Sequence, residues 1–263
     1  MKITFLGTRG STPTTAKNNT HFGTNTSCVC IDIKNKPLII FDAGSGLPHL
    51  PPPSSNRSII IILSHLHLDH IVGLPFFKAL HNQTPVTICS AHPAFSKKNI
   101  QTILNPPFFP IQLKNYKNIS IKNFSFIKKY LAKEQLTLSD FKTNHPGDAY
   151  AYSLQYKEKK LVYCTDNEYT KKQNTQLKDL FTNTDLLIHD CHFTNENHKK
   201  GWGHSNIDDI KTIIDTFVPE KLALFHHAPN HTDANIKKIE KQLEDLNAKT
   251  NCFAAFEGQE ILF

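Results

Sequence analysis

Four side chains able to bind a metal fall within six residues of Leu63-Ser64-His65-Leu66-His67-Leu68-Asp69-His70. Imidazole nitrogen and carboxylate oxygen together suit zinc and related divalent ions. A loop leaving a strand end can turn alternate side chains toward one point. His65 and His67 are therefore expected to serve one ion, and Asp69 and His70 a neighbouring one. An isolated histidine is common in any chain; His-x-His-x-Asp-His after a strand is not. The chain has 15 histidines, many beside Asp or another His at the ends of apolar runs, and histidine is the commonest metal-ligating side chain.

The elements that must position this cluster can be read from hydrophobic pattern. Ser58–Leu63 is a continuous apolar run, as expected for a strand buried on both faces. Shorter strand patterns precede it at Lys2–Leu6, Cys28–Ile33 and Pro37–Phe41, followed by a Pro/Ser linker over 51–56. Residues after His70 read as helical, and Val86–Ser90 as a further strand. Two strand patterns over 149–165 flank the charged turn Lys157-Glu158-Lys159-Lys160, predicting a hairpin. In the second half, helical patterns at 171–182, 206–217 and 233–247 precede strands at 185–189, 221–225, and 252–255 with 260–263. Residues 100–135 carry no clear pattern. This mixture predicts an α/β sandwich rather than a regular βαβ repeat.

A chain of 263 residues with 39% hydrophobic content is expected to form one domain, 1–263, with a core that needs no disulfide help. No apolar run approaches the roughly 20 residues that span a bilayer, so no membrane partner is expected. The chain opens directly into a strand pattern, without the features of a secretory leader, and a cytoplasmic location is expected. Cys28, Cys30, Cys89, Cys164, Cys191 and Cys252 are scattered, several within apolar runs, and are expected to be reduced core residues. The net charge of +7 favours anionic partners. The lysines are dispersed, however, so charge alone gives RNA binding little support.

His65-x-His67-x-Asp69-His70 resembles the signature of the metallo-β-lactamase superfamily. That resemblance implies an αββα sandwich, two mixed β-sheets flanked by helices, with two divalent ions, zinc or manganese, at the edge of the sheets. It also implies the remaining ligands. His145 resembles the next histidine ligand, and Asp166 the aspartate that bridges both metals. The last ligand should follow strand 221–225, where His226 and His227 both qualify and the strand-end match favours His226. Two ions bridged by a carboxylate lower the pKa of a bound water toward roughly 7 and neutralise charge on a phosphoryl oxygen. Asp69 is expected to orient the nucleophile as well as ligate.

Fold alone does not choose an activity within the superfamily. Position 67 is histidine rather than the carboxylate that would resemble the iron-binding flavodiiron pattern, which disfavours a redox role. Gly201-Trp202-Gly203-His204-Ser205-Asn206 resembles the Gly-His-Ser-Thr element of RNase Z and its phosphodiesterase relatives, implying that His204 is the general acid. The same loop also reads as a helix N-terminus capped by Ser205 or Asn206, and the two readings are compatible. Leu6–Pro13, Asn25-Thr26-Ser27 and Phe41-Asp42-Ala43-Gly44 look like the opening of the same branch. Asp42 is expected to stabilise the ligand loop by accepting hydrogen bonds. Arg9 has two equal readings, an anion contact or a structural salt bridge.

Two departures stand out. RNase Z carries a long tRNA-gripping arm between the ligands matching His145 and Asp166, yet here they are only 21 positions apart. Ala228 also stands where an acidic residue is common in the small phosphodiesterases. The expected function is therefore hydrolysis of a small anionic phosphodiester such as a 3′,5′-cyclic nucleotide. An RNA nuclease of RNase Z type, or a thioester or lactone hydrolase at the same metals, are the alternatives. Proteins with this resemblance often form dimers.

Overall fold

In the computed structural model, which describes residues 1–15, 20–51, 53, 57–244 and 249–263, the continuously apolar runs Leu38–Phe41 and Ile59–Ile62 form fully buried strands inside a sheet. The strands are β1 Lys2–Gly7, β2 Cys28–Asp32, β3 Leu38–Phe41, β4 Ile59–Ile62, β5 Val86–Cys89, β6 Ile119–Ile121, β7 Leu136–Lys142, β8 Tyr150–Tyr156, β9 Lys159–Cys164, β10 Leu186–Asp190, β11 Lys221–Phe225, β12 Asn251–Ala254 and β13 Glu260–Leu262. The helices are α1 Leu68–Ile71, α2 Lys97–Ile103, α3 Phe124–Lys133, α4 Asn174–Phe181, α5 Ile207–Phe217 and α6 Asp233–Glu244.

The strands form two sheets, ordered β13-β1-β2-β3-β4-β5-β6 and β12-β11-β10-β9-β8-β7. Both are mixed. In the first, β3 to β6 run parallel and β13, β1, β2 and β3 antiparallel. In the second, β9 to β12 are parallel while β7, β8 and β9 are antiparallel.

Side-chain alternation explains the layering. In β4, Ile60 and Ile62 join the core between the sheets, with Phe5, Phe41, Tyr163 and Phe225. Ile59 and Ile61 point the other way, onto α2 and the short turns around Leu47, Leu74 and Leu80. On the far side, Val162, Leu187 and Leu224 pack under α4, α5 and α6, whose buried faces include Leu177, Ile210, Ile214, Ile236 and Ile239. The result is the expected αββα sandwich. All six cysteines are buried and unpaired in these cores. No described helix is long and apolar enough to cross a membrane.

The structure departs from the sequence reading in several places. The helix expected after His70 is a single turn, α1, followed by short 3₁₀ turns at Leu74–Phe76 and Lys78–His81. Pro75 cannot donate to a continuing helix, which accounts for the break. The unpatterned stretch 100–135 holds the end of α2, the edge strand β6 and α3, whose Ile127 and Leu131 close one end of the central core. Of the Pro/Ser linker, Pro52 and 54–56 lie outside the described residues, as do 245–247 at the end of the helix expected over 233–247.

Candidate metal centre

The parallel strands of both sheets deliver their C-terminal ends to one seam, the place where open α/β sheets bind ligands. From the first sheet come Asp42 after β3, and His65, His67, Asp69 and His70 after β4. From the second come His145 after β7, Asp166 after β9, Asp190 at the end of β10 and His226 after β11. Asp42, Asp166 and His226 each turn off their strand in the left-handed conformation, with φ of 58°, 53° and 56°. Such turns cost non-glycine residues about 1–3 kcal/mol and persist where the surroundings over-determine them.

Asp166 divides its carboxylate between two groups of imidazoles. Oδ1 lies 3.4 Å from His145 Nε2 and 3.9 Å from His65 Nε2. Oδ2 lies 3.3 Å from His70 Nε2 and 3.4 Å from His226 Nε2. Asp69 Oδ2 is 3.2 Å from both His70 Nε2 and His226 Nε2, and accepts the Ser11 backbone N–H at 2.7 Å. The donor atoms of His65, His67 and His145 cluster within 4.8 Å of one another, as do those of Asp69, His70 and His226. All seven residues expected as ligands are thus brought together.

The histidines are aimed from behind. Asp42 Oδ1 accepts the Ser64 N–H at 2.6 Å, and Oδ2 accepts Ser64 Oγ–H, Tyr163 O–H and His70 Nδ1–H at 2.7–2.8 Å. With its proton given to Asp42, Ser64 Oγ accepts from His65 Nδ1 at 2.9 Å. His65 and His70 are thereby both held with Nδ1 protonated. His65 Nε2 is left buried without a hydrogen-bond partner, while His70 Nε2 faces the carboxylates of Asp69 and Asp166. Asp42 therefore does what the sequence predicted of it.

These residues fit a pair of divalent ions. Ligands about 2.0–2.2 Å from a tetrahedral ion lie roughly 3.3–3.6 Å from each other, close to the spacings around Asp166 and Asp69. Burial drives the His65 imidazole well below its ordinary pKa and pulls His145 down to about 4, so both are neutral donors. Burial would also neutralise His70, but Asp69, Asp166 and Asp42 hold its pKa well above the ordinary value. That is the field of a pocket built for positive charge.

His226 and His227 point in opposite directions. His226 enters the cluster, whereas His227 Nε2 donates to the Ala255 carbonyl at 2.9 Å, and burial pulls its pKa down to about 3. Gly10 makes room for His226, since a Cβ there would stand 2.3 Å from its ring. Arg9 does not reach the site. It is fully buried, donating to the carbonyls of Gly23, His231 and Ala228, with Asp233 3.8 Å away. The structural reading of Arg9 is the right one.

His204 stands beside the cluster, its Nδ1 3.4 Å from Asp190 Oδ2 and 3.9 Å from Asp166 Oδ1. Burial lowers its pKa, but Asp190 and Asp166 outweigh that and raise it above the ordinary value. Glu168 anchors the loop, accepting the N–H groups of Gly201 and Gly203 at 2.7 and 3.1 Å. Gly203, at φ 84°, passes so close to His145 that a Cβ would sit 2.3 Å from its ring. Asn206 caps α5, while Ser205 Oγ donates to the Asn167 carbonyl. Asp190 and Glu168 were missed from sequence. Asp190 carries the signal that marked Asp166, an aspartate closing a buried strand.

The cleft above these groups has a volume of about 400 Å³ and is lined by Ser11, Leu66, His67, Leu68, Asp69, His145, Asp166, His204 and His226. No lysine or arginine is among them.

A family model described as "Beta-lactamase superfamily domain" matches residues 38–227. The chain is similar to Ribonuclease Z of Macrococcus caseolyticus, 23% identical over 316 residues, covering 96% of this chain and 95% of that one. Among solved structures, the metallo-beta-lactamase fold protein YhfI from Bacillus subtilis aligns with a TM-score of 0.74 at 22% identity, over 99% of this chain and 98% of that chain. Human tRNase Z, short form, aligns with a TM-score of 0.68 at 18% identity, over 100% and 99%.

Proposed function

The chain belongs to the β-lactamase superfamily domain family, and from that premise we propose that it is a two-metal phosphodiesterase acting on a small, singly charged phosphodiester, with 3′,5′-cyclic nucleotides as the leading candidates. His65, His67 and His145 would hold one ion, Asp69, His70 and His226 the other, with Asp166 between them. Zinc suits this donor set, and manganese is the alternative. When bound, the ions supply Lewis-acid stabilisation of the phosphoryl oxygens and activate water.

The observation that carries the reading is His204, oriented by Asp190 and standing beside the shared carboxylate of Asp166. Hydrolysis of a diester needs a proton for the departing oxygen. With Nδ1 turned to Asp190, Nε2 of His204 is the atom left to carry it. Asp69 Oδ2 accepts the Ser11 N–H and faces His70 and His226, on the side of the ion those residues would hold, which leaves Oδ1 to accept a proton from the attacking water. Water oxygen bonds to phosphorus, the ester P–O bond breaks, and the leaving oxygen takes the His204 proton. A cleft with no lysine or arginine among its described lining residues suits a monoanionic diester better than a substrate with further phosphate charges. Its volume falls in the range of small-ligand sites, and Leu66 and Leu68 offer an apolar wall.

A second reading, an RNA nuclease of RNase Z type, is favoured by the ribonuclease Z relatives that match most of the chain. Against it, the interval between His145 and Asp166 is filled by the hairpin β8–β9, with no room for an arm. The match to the Macrococcus protein also runs over more positions than this chain's 263 residues, so that relative carries segments absent here.

The test is turnover by zinc- or manganese-loaded protein of each 3′,5′-cyclic nucleotide, bis-p-nitrophenyl phosphate, a tRNA precursor and a thioester, with Asp166→Ala and His204→Ala alongside. Cyclic nucleotide hydrolysis lost in both variants supports the proposal. Cleavage of the tRNA precursor alone favours the second reading. Thioester turnover that survives His204→Ala, with no diester cleaved, sinks both.

A further inference from the structure

His192 follows β10 by two residues, is buried, and does not line the cleft. Its Nδ1 lies 3.0 Å from the carbonyl oxygen of His226. A carbonyl can only accept, so Nδ1 carries the hydrogen. That bond falls on the residue that leaves β11 in the left-handed conformation and carries a candidate metal ligand. The face of the same ring lies along His204, with centroids 4.5 Å apart and planes at 25°. The rings of His204 and His226 are themselves stacked at 5.0 Å and 27°. One donor atom from each of His192, His204 and His226 falls within a 4.8 Å cluster.

We infer that His192 is a positioning residue with two separable tasks: its Nδ1–H pins the turn that aims His226 at the metal pair, and its ring fixes the plane of His204. Neither task requires His192 to touch substrate. Its hydrogen bond fixes backbone and its stack fixes a ring, so each can be removed alone. Asparagine places an amide N–H the same number of bonds from Cα as Nδ1 and keeps the bond without the ring. Phenylalanine keeps the ring without the bond.

The second task rests on the phosphodiesterase reading, but the first is read without substrate. Full-length metal-free parent, His192→Asn and His192→Phe would be titrated with zinc ions, then assayed at saturating zinc on whichever diester the parent cleaves. His192→Asn is expected to bind two zinc ions like the parent, while kcat falls about tenfold or more with KM little changed. His192→Phe is expected to bind one of the two ions about tenfold or more weakly and to recover kcat as zinc is raised. Parent-like behaviour of both variants, or an equal loss in both that tracks a lowered melting temperature, overturns the inference. If the parent cleaves no diester, the functional reading fails, and the zinc titration of His192→Phe still decides the first task.

Discussion

Asp190 Oδ2 lies 3.4 Å from His204 Nδ1, at the end of the strand that runs between the one delivering Asp166 and the one delivering His226. The carboxylate also accepts the N–H groups of Asn167 and Ser205 at 3.1 and 3.0 Å, so it is held rigidly from both neighbouring loops. Asp190→Asn keeps the shape and removes the charge that selects the His204 proton position. It is expected to lower kcat about 10- to 100-fold, with KM and bound metal unchanged in steady-state kinetics and elemental analysis. A parallel loss of metal would show that Asp190 merely props the ligands.

Metal removal should weaken the fold itself, because ions that bind only the folded state stabilise it by about 2.7 kcal/mol per site at 100 times Kd. Scanning calorimetry with and without chelator is expected to show a lower melting temperature in its presence. Asp166→Ala, lacking the carboxylate between the two sets of imidazoles, should show little such difference.

The two adjacent histidines after β11 provide an internal control. His226→Gln is expected to reduce zinc content from two ions per chain to one. His227→Gln, altering a side chain bonded to the Ala255 carbonyl, should retain two. Elemental analysis of the purified variants decides between them.

Arg9→Met leaves the carbonyls of Gly23, Ala228 and His231 without their buried donor. Breaking such a set is expected to cost about 3 kcal/mol in urea denaturation. Because Arg9 does not line the cleft, KM for substrate should be unchanged in the folded protein. A raised KM with unaltered stability would instead return Arg9 to the substrate.

Burial pushes the Cys30 and Cys252 thiols up to about 12, and the other four cysteines are raised as well. Since the thiolate is the reactive form, native protein at pH 8 is expected to react with none of its six cysteines in a colorimetric thiol assay, and with all six after denaturation.

His65, His67, Asp69 and His70 were legible as candidate ligands because they crowd the end of an apolar strand, where a polar residue has no packing role, whereas His145, Asp166 and His226 were reached through the family resemblance. That apolar strand is Ile59–Ile62, running into Ser64-His65. Asp190 was missed because the strand was read as ending at 189, and the partner that reveals it, His204, lies 14 positions further on. The choice between His226 and His227 turned on a backbone conformation, φ 56° at His226, which two adjacent histidines do not disclose. The single turn α1 was overread because its apolar spacing continues past Gly73-Leu74-Pro75. The role of Arg9 depends on carbonyls from segments more than 200 positions away, which no local pattern reports.

The seam location of the cluster has a consequence for assembly. His65, His67, Asp69 and His70 leave the first sheet, and His145, Asp166 and His226 leave the second. Neither sheet alone presents a complete coordination shell, so tight metal capture must await the closing of the sandwich. Ions bound there would rivet the two layers together at their open end. Loading would then act as quality control: a chain mispacked in either layer would stay empty, and an empty chain would lack the rivet that keeps its layers from parting.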